Sequence, residues 1–323
     1  MNLALKKYHA VQKVFDEIED DQYDFHGYNL RKFTLNIYMK LVKWEDRLRT
    51  HPGYVKAALS AARIYLATHD DPSIAAAITS SRPTPSANED KGLEPGHPKD
   101  DDPEGLKLIG VPDPLEKAAK FLQPLTTLVT DNIEVWSVAY DVAVRRQKYL
   151  QALQALNHAR AINAEHPEVH VRSMHFRQTV DALPAEPPAP VGPLLTASAD
   201  KVVPEGLSIL TFNGQYLQRH ASEPLAALAA ARVAHMLNEP VHEVEQVAFG
   251  ALGEGSELDI PAALKVLEFL MEIKSGRVDE FRKACDERFE ISTVFKPVAE
   301  LEALKKETLS GEEEDKEEDV LPA

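Results

Sequence analysis

The chain has 323 residues, with 36 Lys plus Arg against 52 Asp plus Glu, so its formal net charge is −16. Hydrophobic residues make up 44% of the sequence and charged residues 27%, which is ordinary for a globular protein. No apolar run reaches the roughly 18–20 residues that cross a bilayer, so a membrane-embedded protein is excluded. The single cysteine, Cys285, cannot form an internal disulfide, which favours a reducing, cytoplasmic compartment.

The negative charge is concentrated in two short segments. Glu89–Glu104 contains seven acids and two lysines, a net of −5, and Glu312–Asp319 contains seven acids and one lysine, a net of −6. Between Phe25 and Tyr65 the balance reverses, because eight Lys or Arg face two acids, a net of +6. The overall acidity argues against an acidic partner, but this uneven distribution leaves room for one near the N-terminal helices.

Proline divides the chain. Fourteen of the 22 prolines fall in Pro72–Pro114 and Pro184–Pro204, stretches whose composition cannot bury enough apolar surface to offset chain entropy. We predict a disordered acidic, proline-rich loop at 73–112, a proline-rich connector at 184–204 and a disordered acidic tail at 309–323. The folded parts are then 1–72, 113–183 and a C-terminal helical region at 205–308.

In chain order, apolar residues recur at helical spacing and predict an all-α fold. The first helix carries Ile37, Leu41, Trp44 and Leu48 on one face, with Thr34 as N-cap and His51-Pro52 as its end. A second helix follows at once and ends at Asp71-Pro72. After the loop, Asp113-Pro114 starts a third helix, because it offers an N-cap acid and a proline at the first helical position.

The same spacing continues to the end of the folded part. Pro124 predicts a kink or break in the third helix, and Gly276 predicts a helix cap. The further predicted helices are Ile133–Arg146, Tyr149–Asn163, Pro167–Val180, Leu207–His220, Pro224–Leu237, Val241–Leu252, Ile260–Ser275 and Val278–Ile291.

Part of this pattern matches a known helical repeat. Trp136, Ala152, Leu156 and Ala159 have the relative spacing of the tetratricopeptide (TPR) repeat, although Pro167 comes late for that register. A second register through Ala155, Ala159, Ile162 and Pro167 fits the helix end but loses the tryptophan, and the spacing leaves both open. Short helices with small facing residues predict a TPR-like solenoid in 1–72 and 113–183.

For each candidate chemical site, a structural role is favoured over metal binding, phosphate binding or catalysis. His166 and His170 lie four residues apart with His175 near, but no third metal ligand is evident. The glycines at 250, 253 and 255 follow a predicted helix rather than a strand, so an interhelix turn is favoured over a phosphate-binding loop. Cys285 lacks an activating base and is predicted to be a half-buried structural thiol. We predict no catalytic, cofactor-binding or metal site.

One surface is a candidate for binding. Lys40, Lys43 and Arg47 lie at spacings of three and four beside the apolar stripe and form a basic ridge. Either it is a solvated helix face balanced in part by Glu45 and Asp46, or it contacts an acidic partner or an RNA backbone.

Several runs of residues carry a family resemblance. They are Asp20-Asp-Gln-Tyr-Asp-Phe-His26-Gly-Tyr28, Arg31-Lys-Phe-Thr34-Leu, Trp44-Glu-Asp46-Arg-Leu-Arg-Thr-His51-Pro52, His69-Asp-Asp-Pro72, Pro114-Leu115-Glu116, Phe121-Leu-Gln-Pro124-Leu and His166-Pro167. Together they resemble the C-terminal region of the auxiliary subunit of NatA, the ribosome-associated N-terminal acetyltransferase complex. The resemblance extends from about Lys6 to about Phe295, and its first run is the most specific.

The resemblance implies a TPR scaffold without chemistry of its own. Such a subunit binds the catalytic NatA acetyltransferase subunit and a HypK-like regulator, and it helps to place the complex on the ribosome. The family often carries a lysine-rich insertion after the Asp-Asp-Pro helix end, where this chain has an acidic segment, so a ribosome contact by that insertion is predicted to be lost. No small-molecule substrate or membrane is implied. The alternative is a generic TPR adaptor that binds a peptide or protein in a cytoplasmic complex.

Overall fold

The computed structural model describes residues 1–20, 35–80, 100, 102–183, 189–204, 206–253, 255–297 and 299–306. Throughout these residues the regular structure is helical and includes no strand, which confirms the predicted all-α class. The α-helices include α1 (Asn2–Asp20), α2 (Leu35–Glu45), α3 (Pro52–Asp70), α4 (Pro72–Ser80), α5 (Leu106–Ile109), α6 (Pro114–Leu128), α7 (Ile133–Arg145), α8 (Tyr149–Ile162), α9 (Pro167–Asp181), α10 (Val191–Val202), α11 (Ile209–Arg219), α12 (Pro224–Met236), α13 (Val241–Phe249), α14 (Ile260–Glu272) and α15 (Val278–Arg288). Residues 299–306 are also helical.

These helices fall into two compact units. Unit 1 comprises Met1–Arg172 with Ala185–Ser198, and unit 2 comprises Ser173–Pro184 with Ala199–Ala323. The predicted division at residues 72, 112, 183, 204 and 308 stays a prediction.

In unit 1, successive helices stack on one another. α1 packs against α3, α3 against α6, α6 against α7, and α7 against α8. This arrangement is typical of a helical-repeat solenoid, in which each element buries its apolar face on its neighbours. Helix α1, whose bounds the sequence did not predict, inserts Leu5 fully into the core. The large core residues of the unit include Leu5, Tyr54, Tyr65, Ile109, Phe121, Leu125 and Val138.

Unit 2 has its own core, centred on α12. This helix packs against α11, α13 and α14, and α14 packs against α15. Its sequence is rich in alanine, and Ala227, Ala231 and Ala234 are buried at close helix–helix contacts. The larger apolar residues of this core include Leu228, Val244, Val266, Leu270, Phe281 and Phe295.

Several helix starts are capped by a side chain. The carboxylate of Asp113 accepts a hydrogen bond from the backbone N–H of Glu116 at 3.1 Å, as the sequence predicted for the start of α6. Asn132 caps α7 and Asp259 caps α14 in the same way. Pro124 lies inside α6, and the helix continues past it to Leu128, so a break at this proline does not occur.

Among the described residues, three helix ends have a non-glycine residue in the left-handed region. Gln147, Asn238 and Lys274 have φ of 56°, 61° and 55°. At each, the next backbone N–H donates to a carbonyl five residues earlier, the hydrogen bond of a Schellman motif. The donor–acceptor pairs are Lys148 N to Ala143 O at 2.8 Å, Glu239 N to Ala234 O at 3.1 Å and Ser275 N to Leu270 O at 2.9 Å. The predicted cap at Gly276 is wrong, because Lys274 takes that position.

The predicted disorder of 73–112 is wrong at both ends of the segment. Residues 72–80 form α4, and the carboxylate of Asp102 caps α5 by accepting hydrogen bonds from Leu106 N at 2.7 Å and Lys107 N at 2.9 Å. The ends are ordered because a few apolar residues, including Ile78 and Leu108, pack against the core of unit 1. The composition of the whole segment does not reveal these apolar residues, because prolines and acids dominate the average. Residues 81–99 and 101 lie outside the described residues.

The predicted connector 184–204 is also wrong in part, since Val191–Val202 is helix α10. Pro193 lies in the first turn of this helix, where a missing N–H costs little. Leu195 and Ala199 are buried, which gives the helix an apolar side to pack. Residues 184–188 and the predicted tail 309–323 lie outside the described residues.

The α7–α8 hairpin distinguishes the two TPR registers. Trp136 is 5% exposed, its ring stacks on His158 at 4.2 Å between centroids, and its indole N–H donates to the carbonyl of Thr130 at 2.8 Å. Ala152 and Leu156 of the same register are buried, and so are Ala155 of the second register and the shared Ala159, but Ile162 of the second register is 39% exposed. The packing therefore favours the register that includes the tryptophan.

Candidate protein-interaction face

The predicted basic ridge lies on α2 and the turn that follows it. Lys40 and Lys43 are exposed on the helix, and Arg47 is exposed just beyond its end. No carboxylate among the described residues forms an ion pair with any of the three, and neither Glu45 nor Asp46 balances them directly. The predicted N-cap Thr34, together with Arg31 and Lys32, lies outside the described residues.

Arg49 and Arg63, which follow the ridge in sequence, differ from it because both form ion pairs with carboxylates. Arg49 donates to the carboxylate of Glu19 at 2.6 Å and to that of Asp16 at 2.9 Å, which ties the end of α1 to the start of α3. The hydrogen bond with Glu19 raises the pKa of Arg49 above its ordinary value, although burial opposes the shift. Arg63 pairs with Glu134 at 2.5 Å. The basic segment thus separates into structural cations and cations that are available to a partner.

The apolar residues of α2 do not form the buried face that their spacing predicted. Leu48 is buried in the following 3-10 turn, but Ile37 is 57% exposed and Trp44 is 54% exposed. Leu35 and Met39 are also exposed, and no residue of α2 is fully buried. The prediction of a packed stripe is therefore wrong for Ile37 and Trp44. The less exposed side of the helix carries Tyr38, Leu41, Val42 and Glu45.

The remaining candidates occupy structural positions. His170 is buried on α9, and the described residues contain no group of three or more His, Cys, Asp or Glu side chains placed to hold a metal ion. Cys285 is fully buried rather than half-buried, and burial raises its pKa to about 11, so the thiol stays protonated at neutral pH. The glycine-rich run follows α13 through a 3-10 turn at Gly250–Leu252, as an interhelix connection does.

None of the described helices is both long enough and apolar enough to cross a bilayer.

Comparisons with known proteins are consistent with one another. The sequence profile of the family described as N-terminal acetyltransferase A, auxiliary subunit, matches residues 1–91 and 76–159. The human protein named N-alpha-acetyltransferase 16, NatA auxiliary subunit, is 30% identical over 343 residues, which is 91% of this chain and 39% of the relative. The Arabidopsis thaliana N-terminal acetyltransferase A complex auxiliary subunit NAA15 is 28% identical over 90% of this chain and 38% of its own length.

A solved structure agrees with these sequences. One chain of the structure of Naa15/Naa10 bound to HypK-THB is 35% identical and superposes with a TM-score of 0.51. The match covers 62% of this chain and 26% of that one. This chain therefore spans about two fifths of the length of the curated relatives it matches.

Proposed function

The chain belongs to the family of NatA auxiliary subunits, and from this we propose that it is a non-catalytic scaffold within an N-terminal acetyltransferase complex. The observation that carries the proposal is its likeness, at 35% identity, to a chain of a structure that contains Naa15, Naa10 and HypK-THB. A stacked helical unit suits this task, because a solenoid presents an extended surface of side chains to its partners.

The proposed partners follow from the same likeness. The scaffold binds a Naa10-like catalytic subunit and a HypK-like regulator, and it works in the cytoplasm, where the complex contacts the ribosome. Affinity on such a surface comes from a few aromatic and arginine side chains rather than from total area.

Co-expression of the full chain with the catalytic subunit and the HypK-like protein of the same organism tests the proposal. We expect the three proteins to co-elute on size exclusion. We also expect acetyl transfer to peptide N-termini only in fractions that contain the catalytic subunit, with an unrelated acetyltransferase as the control for non-specific association.

Two results would overturn the proposal. The chain alone could turn over acetyl-CoA, which would make it an enzyme. It could instead bind neither the catalytic subunit nor the regulator, which would favour the generic TPR adaptor.

A further inference from the structure

Helix α2 exposes apolar side chains that a folded protein ordinarily covers. Leu35, Ile37, Met39 and Trp44 are 61%, 57%, 46% and 54% exposed. Single exposed apolar residues are common, but a cluster on one short helix marks an interaction site. Trp44 is the most informative member, since tryptophan is enriched among the residues that dominate binding energy.

The cations of the ridge are interleaved with this cluster. Lys40 lies three residues after Ile37 and four before Trp44, and Lys43 lies four after Met39. Residues three and four apart are neighbours on a helix surface. The exposed side of α2 is therefore a single mixed face in which each lysine stands between apolar contacts, with Arg47 extending it beyond the helix end.

The three cations of this face form no ion pair with a carboxylate in the described part of the chain. Arg49 and Arg63, close in sequence, both have carboxylate partners, as do Arg145 and Arg172 elsewhere in unit 1. Lys40, Lys43 and Arg47 have none among the described residues. A face with three such cations attracts negative charge and repels basic partners.

We propose that this mixed face of α2 is a docking site for an acidic, amphipathic segment of a partner protein. Carboxylates on that segment pair with Lys40, Lys43 and Arg47, while its apolar residues cover Ile37 and Trp44, which lie seven residues apart on one edge of the face. A protein segment fits better than RNA, because interfaces with nucleic acids are polar and strongly basic, and aliphatic side chains contribute little to phosphate contacts. The inference deepens the proposed function, since it names the chemistry that one surface of the scaffold binds.

The test uses the full chain and defined fluorescent probes. An amphipathic glutamate–leucine peptide is compared with its lysine–leucine counterpart and with an oligouridylate, by fluorescence anisotropy at low and physiological salt. We expect the acidic peptide to bind and to weaken as salt rises, because charge pairs at an exposed face are screened. The lysine peptide should not bind.

Matched variants locate the binding. Lys40→Glu with Lys43→Glu should weaken the acidic peptide at least about tenfold, whereas Lys117→Glu with Lys120→Glu, the same charge change on the exposed side of α6, should change it less than about twofold. Trp44→Ala should weaken binding by about tenfold or more, and Leu150→Ala, at an exposed leucine of α8, should not. Circular dichroism verifies that each variant folds.

Three outcomes would overturn the proposal. One is tighter binding of the oligouridylate than of the acidic peptide. Another is an equal effect of the α2 and α6 charge reversals. The third is no binding of the acidic peptide to the folded chain. None of them depends on whether the chain binds the catalytic subunit, so the docking site and the scaffold proposal fail separately.

Discussion

The two tryptophans of the chain are in opposite environments. Trp136 on α7 is buried, stacks on His158 and donates its indole N–H to a backbone carbonyl. Trp44 on α2 is more than half exposed, among lysines without ion-pair partners in the described residues. Both stand in apolar patterns at helical spacing. The comparison shows that the spacing locates a helix but does not tell whether its apolar face packs within the chain or is exposed to a partner.

The largest expected effect separates the two tryptophans by stability. Trp136→Ala removes a buried ring and should lower the free energy of unfolding by about 3–5 kcal/mol. Trp44→Ala removes an exposed one and should change it by less than about 0.5 kcal/mol. Urea denaturation followed by circular dichroism measures both. An equal loss for the two variants would show that Trp44 is part of the packed core.

A similar contrast holds for two arginines. Arg172 donates to Asp141 at 2.5 Å, to Glu168 at 2.6 Å and to the carbonyl of Ser137 at 3.0 Å. Arg172→Met leaves the carboxylate of Asp141 without its partner and should cost about 3 kcal/mol of stability. Arg47→Met, at an exposed cation, should cost less than about 0.5 kcal/mol. Denaturant midpoints compare the two, and a neutral Arg172→Met would contradict the structural role of this cluster.

The packed core of unit 1 also predicts a pH dependence of stability, through His9. Burial between α1, α3 and α6 lowers the pKa of His9, and the charge of Lys117 adds to the effect. The folded state therefore binds this proton less readily than the unfolded state does. The contribution of neutral His9 to stability is complete above the unfolded pKa of about 6.5 and decreases as the pH falls below it.

The His9 prediction is checked by comparing the wild type with His9→Gln. The melting temperature of the wild type should fall more between about pH 7 and about pH 5 than that of the variant. The side chain accepts or donates a 2.7 Å hydrogen bond with the hydroxyl of Tyr65, so the variant should also be less stable at neutral pH. Identical pH profiles would show that another group titrates.

The smallest effect concerns the end of α7. Gln147 adopts a positive φ that costs a non-glycine residue about 1–2 kcal/mol, whereas glycine loses about 0.5–1 kcal/mol of chain entropy on folding. Gln147→Gly should therefore stabilise the protein by about 0.5 kcal/mol. Gln154→Gly, the same substitution at an exposed position inside α8, should destabilise it by about 1 kcal/mol. Thermal denaturation of the pair shows whether the two signs are opposite.

Much of the fold could be predicted from the sequence because its signals are local. Capping by Asp113 and the spacing of apolar residues from Ile133 to Arg145 depend only on nearby residues, and the helix bounds agree within a few positions. The order of α4 and α10 could not be predicted in the same way. These helices depend on a small number of apolar residues in segments whose overall composition favours disorder.

The candidate face was found only in part. The spacing of Lys40 and Lys43 predicted a basic ridge, but the exposure of Ile37 and Trp44 beside it was not foreseen. No local signal distinguishes an apolar residue that packs on a neighbouring helix from one that remains at the surface, because the distinction depends on which side of α2 the rest of unit 1 covers.

The sequence by itself determined that this protein is built of α-helices and is related to the auxiliary subunits of NatA, because periodicity, caps and family motifs are properties of adjacent residues. Only the tertiary structure decided which cations are neutralised and which apolar side chains are covered. Arg49 pairs with Asp16 and Glu19, which lie 33 and 30 positions earlier in the sequence, while Lys40, only nine positions before Arg49, has no ion-pair partner in the described residues. Such pairing is set by the approach of distant helices, and it left α2 with the basic and apolar face that we assign to a partner.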